Sequence, residues 1–180
     1  MKEGIVMKNK TKIDFIVSLI LIICGSIIML LPILNFTNVK VIFIFVMGIY
    51  IISNLINYFL VMKSKDVEGI YTALISLICV ILLSFLDITK PLFLATLLFI
   101  WVFGMSLVKL KKADYYHDRE NHLWIMHIIT LFIFILIGLL TTINLYYSES
   151  VQILMLGNFF FINGILDLTD PLTNYLKEKN

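Results

Sequence analysis

The sequence predicts an all-α membrane protein of six transmembrane helices arranged as three repeated helical hairpins. Three observations lead there. Six apolar stretches of bilayer length occupy most of the 180 residues. The chain is 61% hydrophobic and only 14% charged, where a soluble domain carries about 25% charged residues. Basic residues gather on alternate connections, as they do when a chain crosses a bilayer repeatedly.

The first stretch, Ile13 to Leu34, follows Lys2, Lys8, Lys10 and Lys12. Its run of roughly 22 residues exceeds the 7–15 of a cleaved signal, and no small-x-small site follows, so it reads as a retained helix. A short turn with Thr37 or Asn38 as N-cap leads into Val39 to Met62. Lys63 and Lys65 precede the third stretch, Ile70 to Leu86, and Thr89 with Pro91 opens the fourth, Pro91 to Leu110. The longest connection then leads to His122 to Leu145, and Ser148 or Ser150 starts the last stretch, Val151 to Leu168. Crossing the hydrocarbon takes about 20 apolar residues in a helix, because unpaired backbone groups cost several kcal/mol in lipid. Barrel strands would alternate over about 10 residues, and these runs do not. The expected organisation is one membrane domain over 1–180, with hairpins near 13–62, 70–110 and 122–168. Residues 1–12 and 169–180 read as cytoplasmic tails.

Twelve of the fourteen basic residues fall on one side of this topology, leaving Lys40 and Lys90 on the other. Basic loops stay cytoplasmic, which places both termini inside. Tyr58, Tyr71 and Trp124 mark the inner aromatic belt, and Tyr146 with Tyr147 the outer one. Trp101 lies in mid-span and reads as a core residue. Cys24 and Cys79 fall within spans and read as small buried hydrophobes, not as a disulfide framework.

The hairpins look like copies of one unit. Asn35, Asp87 and Asn144 end the first helix of each, and nineteen residues later come Asn54, Ser106 and Asn163. Gly25 is followed seven positions on by Pro32; Gly48 opens the run Gly48-Ile49-Tyr50-Ile51-Ile52-Ser53. Gly157 through Asn163-Gly164-Ile165 repeats that pattern, and Phe103-Gly104-Met105-Ser106 followed by Lys109 forms a middle copy. On these residues the chain resembles the HdeD-like membrane proteins, small bacterial inner-membrane proteins built from repeated helix pairs. It departs from their pattern in the second and third hairpins, which lack the outer proline, and at Asn54, where a second glycine is expected. The resemblance implies a six-helix protein associated with acid or envelope stress and supplies no catalytic residues.

Polar residues inside the spans are the candidates for function. Asn54 and Asn57 share a face of the second helix, and Asn163 with Asp167 a face of the sixth; Ser106 occupies the matching place in the fourth. They read either as interhelical hydrogen bonds, worth about 0.6 kcal/mol each, or as the lining of a cytoplasmic vestibule with Asp167 as an ion or proton site. The hydrogen-bonding reading is preferred. Ser18, Gly25 and Pro32 recur every seven residues on the first helix, and Gly157 and Gly164 do so on the sixth, a spacing that sets each group on one face for close packing.

His117, His122 and His127 recur every five residues near the inner surface. Five residues turn a helix by about 500°, so the rings do not share a face and no metal site is expected. Hydration and interfacial anchoring are their expected roles, within a mixed-charge connector that also holds Asp114, Asp118, Arg119 and Glu120. The motifs GxSxG, HExxH and GxxxxGK[ST] do not occur. The expected function is therefore non-enzymatic, with no cofactor and no nucleic acid partner, in a stress-related membrane protein of the HdeD-like type. The bilayer is its expected surrounding, with a homo-oligomer or a membrane partner left open. A small channel or transporter, with a solute path between the hairpins, is the alternative.

Overall fold

The computed structural model describes residues 2–35, 38–61, 68–85, 91–118, 123–145 and 147–179, with side chains described from 11 to 173 except at 60, 61 and 91. Features expected at Thr37, Lys63, Lys65, Asp87, Thr89, Lys90, Arg119, Glu120, His122 and Tyr146 lie outside these residues. So do the side chains of Lys2, Lys8, Lys10, Pro91, Lys177 and Lys179.

The described chain is helical throughout, and its elements follow the apolar stretches. They are α1 (Lys2–Leu30), α2 (Val39–Val61), α3 (Glu68–Phe85), α4 (Pro91–His117), α5 (Leu123–Asn144) and α6 (Glu149–Lys179). All six are long and apolar enough to cross a membrane. A 3-10 turn over Leu31–Leu34 carries Pro32 and ends α1, and Asn35 closes it in the left-handed region at φ 58. Asparagine tolerates that conformation better than a branched residue does. Asn38 caps α2, its Oδ1 accepting the Val41 N–H at 3.2 Å. Between α5 and α6 the Gln152 amide donates to the carbonyls of Leu145 at 2.8 Å and Tyr147 at 2.9 Å, which ties that turn together.

Each helix packs against its neighbours in sequence, and α6 returns to α1, so the six close into a ring. The most extensive seams are α1 with α6, α4 with α5 and α2 with α3. They alternate with lesser seams between α1 and α2, α3 and α4, and α5 and α6. The hairpin partners expected from the sequence are thus the looser pairs.

Small residues set the tightest seam. Gly25 faces the backbone of Phe161, and a Cβ there would lie 2.8 Å from the Gly157 carbonyl oxygen. Gly157 in turn faces the Met29 backbone N, and Gly164 faces the backbone of Ile22 and Ser18, each at 2.8–2.9 Å from a built Cβ. Backbones this close gain dispersion contacts, which drive helix association in lipid once the hydrophobic effect has no role.

Trp101 of α4 fills the middle of the ring at 0% exposure. It meets Tyr50 of α2, Phe134 of α5, and Phe159 and Phe160 of α6 edge to face, at centroid distances of 5.7–6.3 Å. Its indole N–H donates to Ser76 Oγ of α3 at 2.9 Å, and the Ser76 hydroxyl donates to the Thr72 carbonyl. Beyond Trp101, toward the start of α2 and α4, the interior is apolar, with Phe43, Met47, Leu94, Leu97 and Leu98 buried. Outward-facing side chains such as Ile52, Phe103, Phe132 and Ile143 are exposed and apolar, as a lipid environment requires.

Candidate functional site: a charged chamber at one end of the ring

Helix continuation builds the site. α4 runs past Leu110 to His117, carrying Lys109 and Lys112 inside the ring on one face, three residues apart. α6 continues past Leu168, the expected start of a tail, so Asp167 and Asp170 share a face opposite those lysines. α5 begins at Leu123, which sets His127 one turn inside, and α3 begins at Glu68. Asp14 comes from α1, and Asn54 with Asn57 from the end of α2.

These residues bond across helices. Lys109 Nζ donates to Asp167 Oδ1 at 2.5 Å and lies 5.0 Å from the centre of the Phe134 ring. Lys112 Nζ is shared between Asp170 Oδ2 at 2.6 Å and Glu68 Oε1 at 3.1 Å. Asn57 Nδ2 donates to Asp14 Oδ1 at 2.6 Å. His127 Nε2 stands 3.3 Å from Asp170 Oδ1 in a geometry that makes no hydrogen bond, and its ring stacks on Tyr116 at 4.6 Å and 16°. The lysine pairs thus tie α4 to α3 and α6, with His127 of α5 beside Asp170, and Asn57 separately ties α2 to α1. The lysines and the Asp167 and Asp170 side chains are 14–23% exposed, which weakens dielectric screening without removing it. In such a setting a pair is worth little more than its desolvation cost, while one partner left alone is costly.

These side chains surround a chamber with about 80 Å³ of space for water-sized groups. One water occupies at least about 10–15 Å³ on that measure, so the chamber takes a few waters or a small ion. Tyr50, Thr72, Met105 and Leu166 line its deeper wall. Past them the Trp101 cluster leads into the apolar half of the ring.

Of the residues singled out in the sequence, Asn54, Asn57 and Asp167 line this chamber. Asn163 lies deeper, 1% exposed and beside the Tyr50 hydroxyl, with neither amide atom in a regular hydrogen bond. Asn54 bonds to the Tyr50 carbonyl of its own helix at 2.8 Å. Among the described residues, the regular interhelical bond expected of these asparagines is made by Asn57. Ser106 is elsewhere: its hydroxyl bonds to the Val102 carbonyl at 2.7 Å, and it lines an apolar groove of about 240 Å³ over the α4–α5 seam. Ser18, Gly25, Gly157 and Gly164 lie along the α1–α6 seam, and Ser18 also reaches the chamber wall.

His127 corrects its sequence reading, since it is a buried wall residue and not an interfacial anchor; α5 starts close enough to turn it toward α4 and α6. His117 is exposed, edge-on to Trp124 at 5.1 Å. Lys109, at the end of the expected fourth span, and Lys112, just beyond it, both face inward. Opposite charges three residues apart on two helix ends, Lys109/Lys112 and Asp167/Asp170, were the available signal for this pairing. No cluster of metal-ligating side chains occurs among the described residues. Chemically, the chamber can hold a few waters or a small ion among charged and polar side chains. Compared with known proteins, the chain matches no family model, no curated protein and no solved structure.

Proposed function

We propose that this chain is a non-enzymatic, multi-pass protein of the bacterial inner membrane, of the HdeD-like type, acting in resistance to acid or envelope stress. One observation carries the reading: every helix contributes a polar or charged side chain to the lining of one chamber at one end of the ring. The lysine–carboxylate pairs need ionised carboxylates. Each pair ties one helix end to another, and neutralising one partner leaves the other charge unpaired between them. The basic residues of the sequence favour placing that end and both termini in the cytoplasm. Alternation of close and looser seams three times around the ring agrees with a threefold repeated design.

Deleting the gene tests the role. Survival in acid should fall more than growth at neutral pH, and the wild-type gene should restore it better than Asp170→Asn. Equal survival of deleted and parent strains across several acid conditions counts against the reading.

The chamber also favours a second reading, a small transporter with its solute path closed at Trp101, because carboxylates within membrane helices commonly mark pathways. Proteoliposomes separate the two: transport requires solute or proton flux by the wild type that changes with Trp101→Phe, and a stress role through partners requires none.

A further inference from the structure

We propose that the groove over the α4–α5 seam binds one phospholipid whose headgroup carries a phosphate and a primary ammonium, as phosphatidylethanolamine does, with an acyl chain lying in the groove. This goes beyond the stress reading and does not depend on it. The groove holds about 240 Å³, and its nine lining residues are apolar apart from Ser106. The Ser106 hydroxyl is spent on the Val102 carbonyl of its own helix, so the lining suits hydrocarbon. Length decides which hydrocarbon. On α4 the lining runs from Phe99 to Leu110, about 16 Å along the helix, and half of the hydrocarbon core is about 15 Å thick. The groove is therefore one leaflet deep and ends where the chamber begins. A helix from a second copy would cross both leaflets and need a seat about twice as long; one acyl chain fits.

Charge at the mouth of the groove selects the headgroup. Lys111 follows the lining residue Leu107 by four positions and Asp114 follows Leu110 by four, so each continues the groove face one turn further along α4. Both are exposed, and among the described residues neither side chain is held in an ion pair. Side chains on a helix lean toward its N-terminus, which on α4 carries both toward the groove. Three residues apart, they stand about 5–6 Å from each other at Cβ. Two carbons separate phosphate from ammonium in the proposed headgroup. That reach lets the phosphate accept from the Lys111 ammonium while the lipid ammonium donates to the Asp114 carboxylate, two charge-assisted hydrogen bonds from one molecule. A headgroup with negative charge alone would leave Asp114 repelling it, and a quaternary ammonium has no N–H to donate. Trp124, edge-on to His117 at 5.1 Å just past this mouth, marks the boundary where headgroups lie.

The test uses the full chain in detergent, titrated with phosphatidylethanolamine, phosphatidylcholine or phosphatidylglycerol of the same acyl chains, and native mass spectrometry counts the lipid retained. Phosphatidylethanolamine should saturate a site of one per chain, and the other two should bind about tenfold more weakly, each lacking one charge-assisted bond. Lys111→Gln and Asp114→Asn alter exposed side chains and should each weaken phosphatidylethanolamine about tenfold, and Asp114→Asn should also bring it level with phosphatidylglycerol. Ser106→Leu fills the groove while losing only a bond within its own helix, and should abolish retention. Equal affinity of the parent chain for the three lipids overturns the proposal, as does undiminished phosphatidylethanolamine affinity in all three variants. A dimer that forms without lipid and is lost in Ser106→Leu gives the groove to a second copy and overturns it too. Loss of the acid-survival phenotype leaves these binding results unchanged, so the two readings fail separately.

Discussion

Replacing Gly25 by alanine puts a methyl group where α6 already stands. The new carbon would lie 2.7 Å from the Phe161 Cα and 2.8 Å from the Gly157 carbonyl oxygen, whereas ordinary contact begins at 3.4 Å. Both are backbone atoms and cannot rotate aside, so the helices must part by roughly half an ångström, a gap that forfeits a quarter or more of each neighbouring dispersion contact. Overpacking of this kind costs about 1–3 kcal/mol. Gly48 provides the comparison, since a Cβ there meets nothing within 4 Å. Alanine at Gly48 should be neutral or slightly stabilising, because it favours the helix over glycine. Equilibrium unfolding of the two variants and the wild type in one detergent reads the difference directly. Equal stability of Gly25→Ala and Gly48→Ala would refute close backbone packing as the basis of the α1–α6 seam.

Three further outcomes are expected. Asp167→Asn strands the Lys109 ammonium and should cost about 1–3 kcal/mol, below the 3–5 of a fully buried pair because these side chains are 16% and 23% exposed. The double variant Lys109→Met/Asp167→Leu should recover most of that loss in the same unfolding assay, and a double variant as damaged as the single one contradicts the pairing. Asn163→Leu should leave stability unchanged or raise it, since the amide it removes is buried without a hydrogen bond; a loss above about 2 kcal/mol would reveal a bond of full interhelical strength. Cysteines placed at the exposed positions Asn38 and Ser148 should react with an impermeant thiol reagent added to intact cells, while one at Tyr115 should not, and labelling at Tyr115 reverses the orientation.

The six spans were legible in the sequence because length and apolar content are all that a bilayer demands of a helix. The packing stripe was legible too, since glycines seven apart must share a face, although their partner helix could not be named from one strand of sequence. The chamber was legible only in part. Reading hydropathy ends a span where charge begins, so Lys112 fell beyond the fourth span and Asp170 into a tail. In the structure the helices continue, and opposite charges on neighbouring helices satisfy one another inside the ring. Ser106 shows the second limit. A spacing of nineteen residues sets comparable depth for Asn54, Ser106 and Asn163, but rotation about each helix axis decides what they face. That rotation left Ser106 on the α4–α5 groove, Asn163 beside Tyr50 and Asn54 at the chamber. His127 was read by its spacing from two other histidines, while its surroundings come from Tyr116 on α4 and Asp170 on α6.

The central claim is that cross-helix ion pairs hold the helix ends around the chamber together. Spin labels at the exposed positions Lys12 on α1 and Lys111 on α4 report across that end, and a pair at Asn38 and Ser148 reports on the other end. Electron–electron distances should be measured in liposomes for the parent chain and for Asp170→Asn, which takes the closer carboxylate from the Lys112 ammonium. The account predicts that the Lys12–Lys111 distance lengthens and broadens in Asp170→Asn while the Asn38–Ser148 distance stays constant. A Lys12–Lys111 distance that is the same in both chains would contradict it.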